Sequence, residues 1–204
     1  MSSKNHRAGK FSKPNTLVWP TLGFAAFLPT ALAFVDGPPA ASTGGFGEPT
    51  CHRCHFDAPP NDAIGGLTVQ GLPMRYQPGD RYLLTVEITR PGATLTGFQL
   101  AIRHTEGQQA GAQAGRLEAA GAQVQVVSGA PRNAVQYAEH SEAGAHTARR
   151  RSDWRVTWEA PRNGGAVVLH VAGTAANGDD SPLGDFVYFR EARSASGPAA
   201  PGSP

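Results

Sequence analysis

The sequence predicts an all-β fold, an antiparallel β-sandwich preceded by a loop-like arm. Three observations predict it. Residues 81–89 alternate, with Tyr82, Leu84, Val86 and Ile88 on one parity, as a strand with one buried face requires. Short runs of strand character recur along the chain, set apart by Gly, Pro and Asn-Gly punctuation at the spacing of a two-sheet stack. Residues 34–62, by contrast, are rich in Pro and Gly and show no sustained period, which predicts an arm whose order depends on what it binds.

The chain opens on a pattern of export. Lys4, Arg7, Lys10 and Lys13 form a basic stretch, residues 17–28 a short apolar run interrupted by Pro20, and Ala31-Leu32-Ala33 an A-x-A cleavage site. The apolar run is short for a membrane span. Residues 1–33 therefore read as a removed signal, with an uncleaved anchoring segment as the alternative. The net charge of +2 depends on this segment, because it holds four of the 18 basic residues and none of the 16 acidic ones. Without it 14 arginines face 16 acids, a net charge of −2, so a nucleic-acid partner is not expected. The run Arg149-Arg150-Arg151 reads as a solvated loop. No later stretch is long enough to span a bilayer, and the expected location is the periplasm or the cell exterior.

Within the arm, Cys51-His52-Arg53-Cys54-His55 spells C-x-x-C-H with the only two cysteines of the chain. Two thiols three residues apart can each add to one vinyl group of a haem, and the histidine that follows can ligate the iron from the proximal side. One covalent haem c is thus the expected cofactor, with Cys51 and Cys54 as anchors and His55 as proximal ligand. Two alternatives stand beside it. One is a Cys51–Cys54 dithiol or disulfide, which the oxidising exterior allows. The other is a zinc site using both cysteines and two histidines, although the usual histidine spacing is missing.

Roughly 160 residues remain between the leader and the tail, enough for one domain with a real core. Residues 63–192 form the expected sandwich, with strands at 66–71, 81–89, 97–103, 123–127, 153–159, 166–172 and 185–190. Trp154 and Trp158 share the apolar face of their strand and read as core rather than as a sugar platform. Residues 106–123, rich in Gly, Ala and Gln, read as a long crossover loop, with a helical turn around Leu117 as the alternative. Asn177-Gly178-Asp179-Asp180 and Asp185 have the residue types of a calcium site but not the spacing of one, and a hairpin turn is the simpler reading. Residues 193–204 form a Gly/Pro/Ser/Ala tail expected to be disordered.

A series of short stretches resembles the reeler (reelin-like) domain in its bacterial form, a family also described as choice-of-anchor domains. They are Thr43-Gly44-Gly45-Phe46-Gly47-Glu48-Pro49-Thr50-Cys51 with Cys54-His55, Gly71-Leu72-Pro73, Tyr76-Gln77-Pro78-Gly79, Gly97-Phe98-Gln99-Leu100, residues 137–140, Trp158-Glu159-Ala160-Pro161, Ala175-Ala176-Asn177-Gly178-Asp179 and Gly184-Asp185. In that order they are spread along residues 43–190. The resemblance implies an immunoglobulin-like β-sandwich and makes a C-x-x-C-H arm a usual feature of bacterial members. It supplies a fold more than an activity.

A sixth iron ligand is sought among Met74, His104, His140, His146 and His170. His170 sits in an apolar strand and reads as a core histidine, His104 as a surface residue at a strand end, and Met74 as a packing residue. His140 is chosen as the distal ligand, because it lies in a family-matching segment expected to be a loop. No nucleophile–base constellation appears, so catalysis is not expected. The expected function is single-electron transfer with a redox partner protein. The alternative is a non-redox binding or adhesion module of reeler type with a Cys51–Cys54 disulfide.

Overall fold

Alternation along two long strands makes the centre of the molecule. In β3 (Arg81–Thr89) Leu84, Val86 and Ile88 are buried while Arg81 and Leu83 face out, and in β8 (Arg151–Glu159) Trp154, Val156 and Trp158 take the inward parity. The two pair antiparallel in register from Arg81↔Glu159 to Thr89↔Arg151. The computed structural model describes residues 34–129, 134–145 and 151–198. The expected signal (1–33), His146, Arg149, Arg150 and the end of the tail lie outside the described residues.

Besides β3 and β8 the strands are β1 (Gly66–Gln70), β2 (Arg75–Tyr76), β4 (Leu95–His104), β5 (Arg116–Ala119), β6 (Val124–Ser128), β7 (Gln136–His140), β9 (Val167–Ala176) and β10 (Phe186–Ser196). One sheet has the order β1-β3-β8-β5, the other β2-β10-β9-β4-β7-β6. Every pairing is antiparallel except the short parallel one of β2 with β10. The fold is the all-β sandwich that the sequence predicts. Phe98, Leu100, Ile102, Leu169 and Val171 of one sheet meet Leu84, Ile88, Trp154 and Trp158 of the other, all with 1% exposure or less. Each such side chain contributes about 1.5–3 kcal/mol of burial. The indole N–H groups do not go unpaired: Trp154 donates to the Gly144 carbonyl and Trp158 to that of Ala114, each at 2.9 Å.

Three expectations need correction. Leu117 lies neither in a crossover loop nor in a helical turn; it is the buried residue of β5, which hydrogen-bonds along β8 from Arg116↔Glu159 to Ala119↔Val156. The segment holding His140 is not a loop but β7, wedged between β4 and β6. The tail begins later than residue 193, because β10 continues to Ser196, where Ala195 and Ser196 pair with Arg75 and Tyr76. Among the described residues no helix is long and apolar enough to cross a membrane.

The arm lies along the outer face of the six-stranded sheet and is held there by polar contacts. Glu48 is paired with Arg103 and accepts the Tyr137 hydroxyl at 2.6 Å, with all three side chains almost fully buried. The Ser42 amide donates to Gln99 Oε1 at 2.6 Å, and Gln99 Nε2 donates to the Pro39 carbonyl at 3.1 Å. Gly45 approaches β9 so closely that a Cβ there would collide with the His170 ring. β4 is consequently buried on both faces over most of its length.

Candidate functional site

The C-x-x-C-H motif folds on itself at the end of the arm. Cys51–Arg53 form one 3₁₀ turn, opened by Thr50, whose hydroxyl accepts the His52 amide at 3.2 Å. The amides of Cys54 and His55 both close on the Cys51 carbonyl, at 3.1 and 3.0 Å. Both thiols are free; Cys51 is half-buried and Cys54 exposed. Burial pushes the Cys51 thiol up, and the neighbouring Thr174 side chain offsets part of that.

Cys51, Cys54, His55 and His140 line one cavity of about 580 Å³ between the arm and the end of β4 and β9. That volume falls within the ~300–1,000 Å³ of small-molecule and cofactor sites. The wall is predominantly apolar, built from residues such as Val35, Pro38, Pro39, Leu95, Phe98 and Ala176. Arg53 also reaches it, whereas His52 turns away and its Nε2 meets the Ala58 carbonyl at 3.2 Å.

His55 is oriented from behind. Its Nδ1 lies 2.6 Å from Asp185 Oδ2, and Asp185 is 1% exposed. The other carboxylate oxygen accepts the Asn177 amide at 3.1 Å. Among the described residues no hydrogen bond reaches His55 Nε2.

The seat of His140 is different. Its ring lies against the β4 backbone, where Gly97 makes room; a Cβ at that position would run into the imidazole. With the proton on Nε2, the ring donates to the Phe34 carbonyl at 3.2 Å and Nδ1 accepts the Phe98 amide at 3.1 Å. With the proton on Nδ1, the Phe98 carbonyl at 3.3 Å accepts it and Nε2 keeps a lone pair. Either neutral tautomer has a partner, and burial pulls the ring below the usual histidine range.

Of the other candidates, Met74, His104 and His170 do not line this cavity. Met74 is 90% exposed, so it is not a packing residue either. His104 is buried at its strand end rather than on the surface, and burial lowers its proton affinity. His170 is half-buried beneath Phe46 and lines a separate cavity of about 190 Å³ with Arg193. Among the described residues no group of three or more His, Cys, Asp or Glu side chains is placed to hold a metal ion. Residues 177–181 are not a tight hairpin turn but part of the longer connection between β9 (ending at Ala176) and β10 (starting at Phe186), with Asn177 Oδ1 accepting the Asp179 amide and Asp179 Oδ1 that of Ser181. Asp185, Gly97 and Phe34 were not foreseen at the site. Asp185 stands out in the sequence as part of the family-matching Gly184-Asp185 pair and of the calcium-type set, and neither signal points to His55.

The residues fit a c-type haem in kind: two free thiols, a histidine with an open ring nitrogen, and a second histidine across an apolar cavity. No protein-family model matches the chain, and no curated protein matches it. Solved structures do show similar strand arrangements. The human F-spondin reeler domain is 22% identical, over 68% of this chain and 93% of that one, with a TM-score of 0.46. A cohesin module from a Clostridium perfringens family 33 glycoside hydrolase is 13% identical, over 65% and 96%, with a TM-score of 0.45. AvmM, which catalyses macrocyclization in alchivemycin A biosynthesis, is 16% identical, over 70% and 93%, with a TM-score of 0.45. Likenesses at this level are to arrangement of strands and say nothing of chemistry.

Proposed function

We propose that the chain is an exported binding sandwich whose end cavity holds one haem c and that it passes single electrons to or from a redox partner protein, in the periplasm or at the cell surface. The observation that supports this is convergence. The three chemical residues of the C-x-x-C-H motif and His140, distant in sequence, border the same apolar cavity. Haem supplies a one-electron iron couple when bound. The chain would supply the rest: thioether sulfurs from Cys51 and Cys54, Nε2 of His55, and a predominantly apolar wall. His140 would be the second histidine to hold the iron, through Nε2, in the tautomer whose Nδ1–H donates to the Phe98 carbonyl. The reading is one of carriage rather than catalysis.

A second reading shares the sandwich and the cavity but not the redox chemistry. It is a non-redox extracellular binding or adhesion module with a Cys51–Cys54 disulfide. The observations favouring it are that both ring nitrogens of His140 already have backbone partners and that the arm is fully docked by polar contacts.

The two separate in protein matured in a host able to attach haem. The first expects a pyridine haemochrome spectrum that survives denaturation and is lost in Cys51→Ser/Cys54→Ser protein. The second expects no haem band and oxidised thiols. For the distal side, His140→Ala is expected to convert a low-spin spectrum to high-spin; an unchanged low-spin spectrum removes His140 from that role.

A further inference from the structure

We propose that Asp185 is the positioning residue of the site: it selects the His55 tautomer that leaves Nε2 free toward the cavity, and it strengthens that nitrogen as an iron donor. The proposal rests on the haem reading and extends it to a residue outside the motif.

The arm gives His55 little packing of its own, and its side chain is 30% exposed. Asp185, on the last residue before β10, is nearly inaccessible and fixed through both oxygens, to His55 Nδ1 at 2.6 Å and to the Asn177 amide at 3.1 Å. The His55 contact has the shortness of a charge-assisted hydrogen bond. A carboxylate can only accept, so Nδ1 must carry the proton, and a neutral ring then has its lone pair on Nε2. A second arm contact lies next to it, where the Gly184 amide donates to Asp57 Oδ2 at 3.0 Å, so Gly184-Asp185 holds the arm at His55 and again at Asp57.

An anion behind a ligating imidazole raises the ring's basicity and favours the more positively charged state of the metal in front of it. Removal of that charge should therefore shift the midpoint potential upward. In residues 177–181 the Asp179 carboxylate is held locally, by Asn177 Nδ2 and the Ser181 amide, while the Asn177 amide is the segment's bond to Asp185.

Two measurements on the full chain test this. In unmatured, haem-free protein at mildly alkaline pH, ¹⁵N NMR of His55 is expected to show a protonated Nδ1 and an unprotonated Nε2. Asp185→Asn is expected to give a mixture of tautomers and Asp185→Glu to restore the single form. In matured protein, Asp185→Asn should keep its thioether-bound haem but have a higher midpoint potential, with Asp185→Glu returning toward the parent. A His55 proton on Nε2 in the parent overturns the proposal even if no variant folds, as does an unchanged potential in Asp185→Asn. A parent that shows the expected tautomer but takes up no haem keeps the Asp185–His55 pair and refutes the haem reading alone.

Discussion

The arm and the sandwich are built from opposite chemistry. The sandwich is fixed by alternation: inward Leu, Ile, Val and Trp side chains on β3 and β8 bury one continuous core against β4 and β9. The arm buries little apolar surface and is fixed by side chains reaching out of the sheet, with Arg103 and Tyr137 on Glu48, Gln99 on Ser42 and Pro39, Gln125 on the Asp36 carbonyl, and Asp185 on His55. An apolar core is non-directional and tolerant, whereas a polar clamp is specific and fails when one partner goes. The cavity lies where the two regimes meet, so its shape depends on the weaker of them.

The largest expected effect tests the stronger region. Trp158→Ala should cost about 3–5 kcal/mol through the cavity it leaves, read as a lower denaturant midpoint with arm and sandwich unfolding together. Arg103→Ala comes next. It strands the Glu48 carboxylate in a nearly closed site and should cost about 3 kcal/mol, the low end for a broken buried pair. Here the comparison sharpens, because limited proteolysis should nick residues 36–50 while the sandwich fragment survives. Simultaneous digestion of both would show that the arm has no separate attachment.

Glu139 gives a pH-dependent effect of intermediate size. Its carboxyl is pushed up to about 7, first by burial and further by the nearby Asp36, against the bonds from Gln99 and Gln125 that pull it down. The folded form therefore holds this proton more tightly than the unfolded chain. The group's contribution is fully present below the ordinary glutamate range, about pH 4, and is lost as pH rises to about 7. Glu139→Gln should leave stability nearly unchanged in acid and raise it by about 1–2 kcal/mol above neutrality, measured as the difference in melting temperature across pH. A pH-independent difference would contradict the shift. The smallest expected effect is Thr50→Ala, which removes the cap of the Cys51–Arg53 turn and should cost about 0.5–1 kcal/mol, visible as faster amide exchange at His52.

Where the sequence was readable follows the same division. β3 and β8 were legible because each has one wet and one dry face, so Leu84, Val86, Trp154 and Trp158 stand out by period. β7 was not, because the arm dries its outer face as well: Tyr137 and Glu139 on one side and Ala138 and His140 on the other are all buried, and no alternation survives. β5 is four residues long with one buried apolar residue, below what a pattern can reveal. At the candidate site, Cys51, Cys54 and His55 stand out in the sequence because they share one short motif, and they line one cavity. Asp185 was hidden because its partner lies in a part of the chain with which it shares no spacing rule.

The most direct test of the account is the intact mass of protein exported and matured in a host that attaches haem. The account predicts a single species heavier than the bare polypeptide by one haem, reverting to the polypeptide mass in Cys51→Ser/Cys54→Ser protein. A colourless parent with the mass of the polypeptide alone would contradict it.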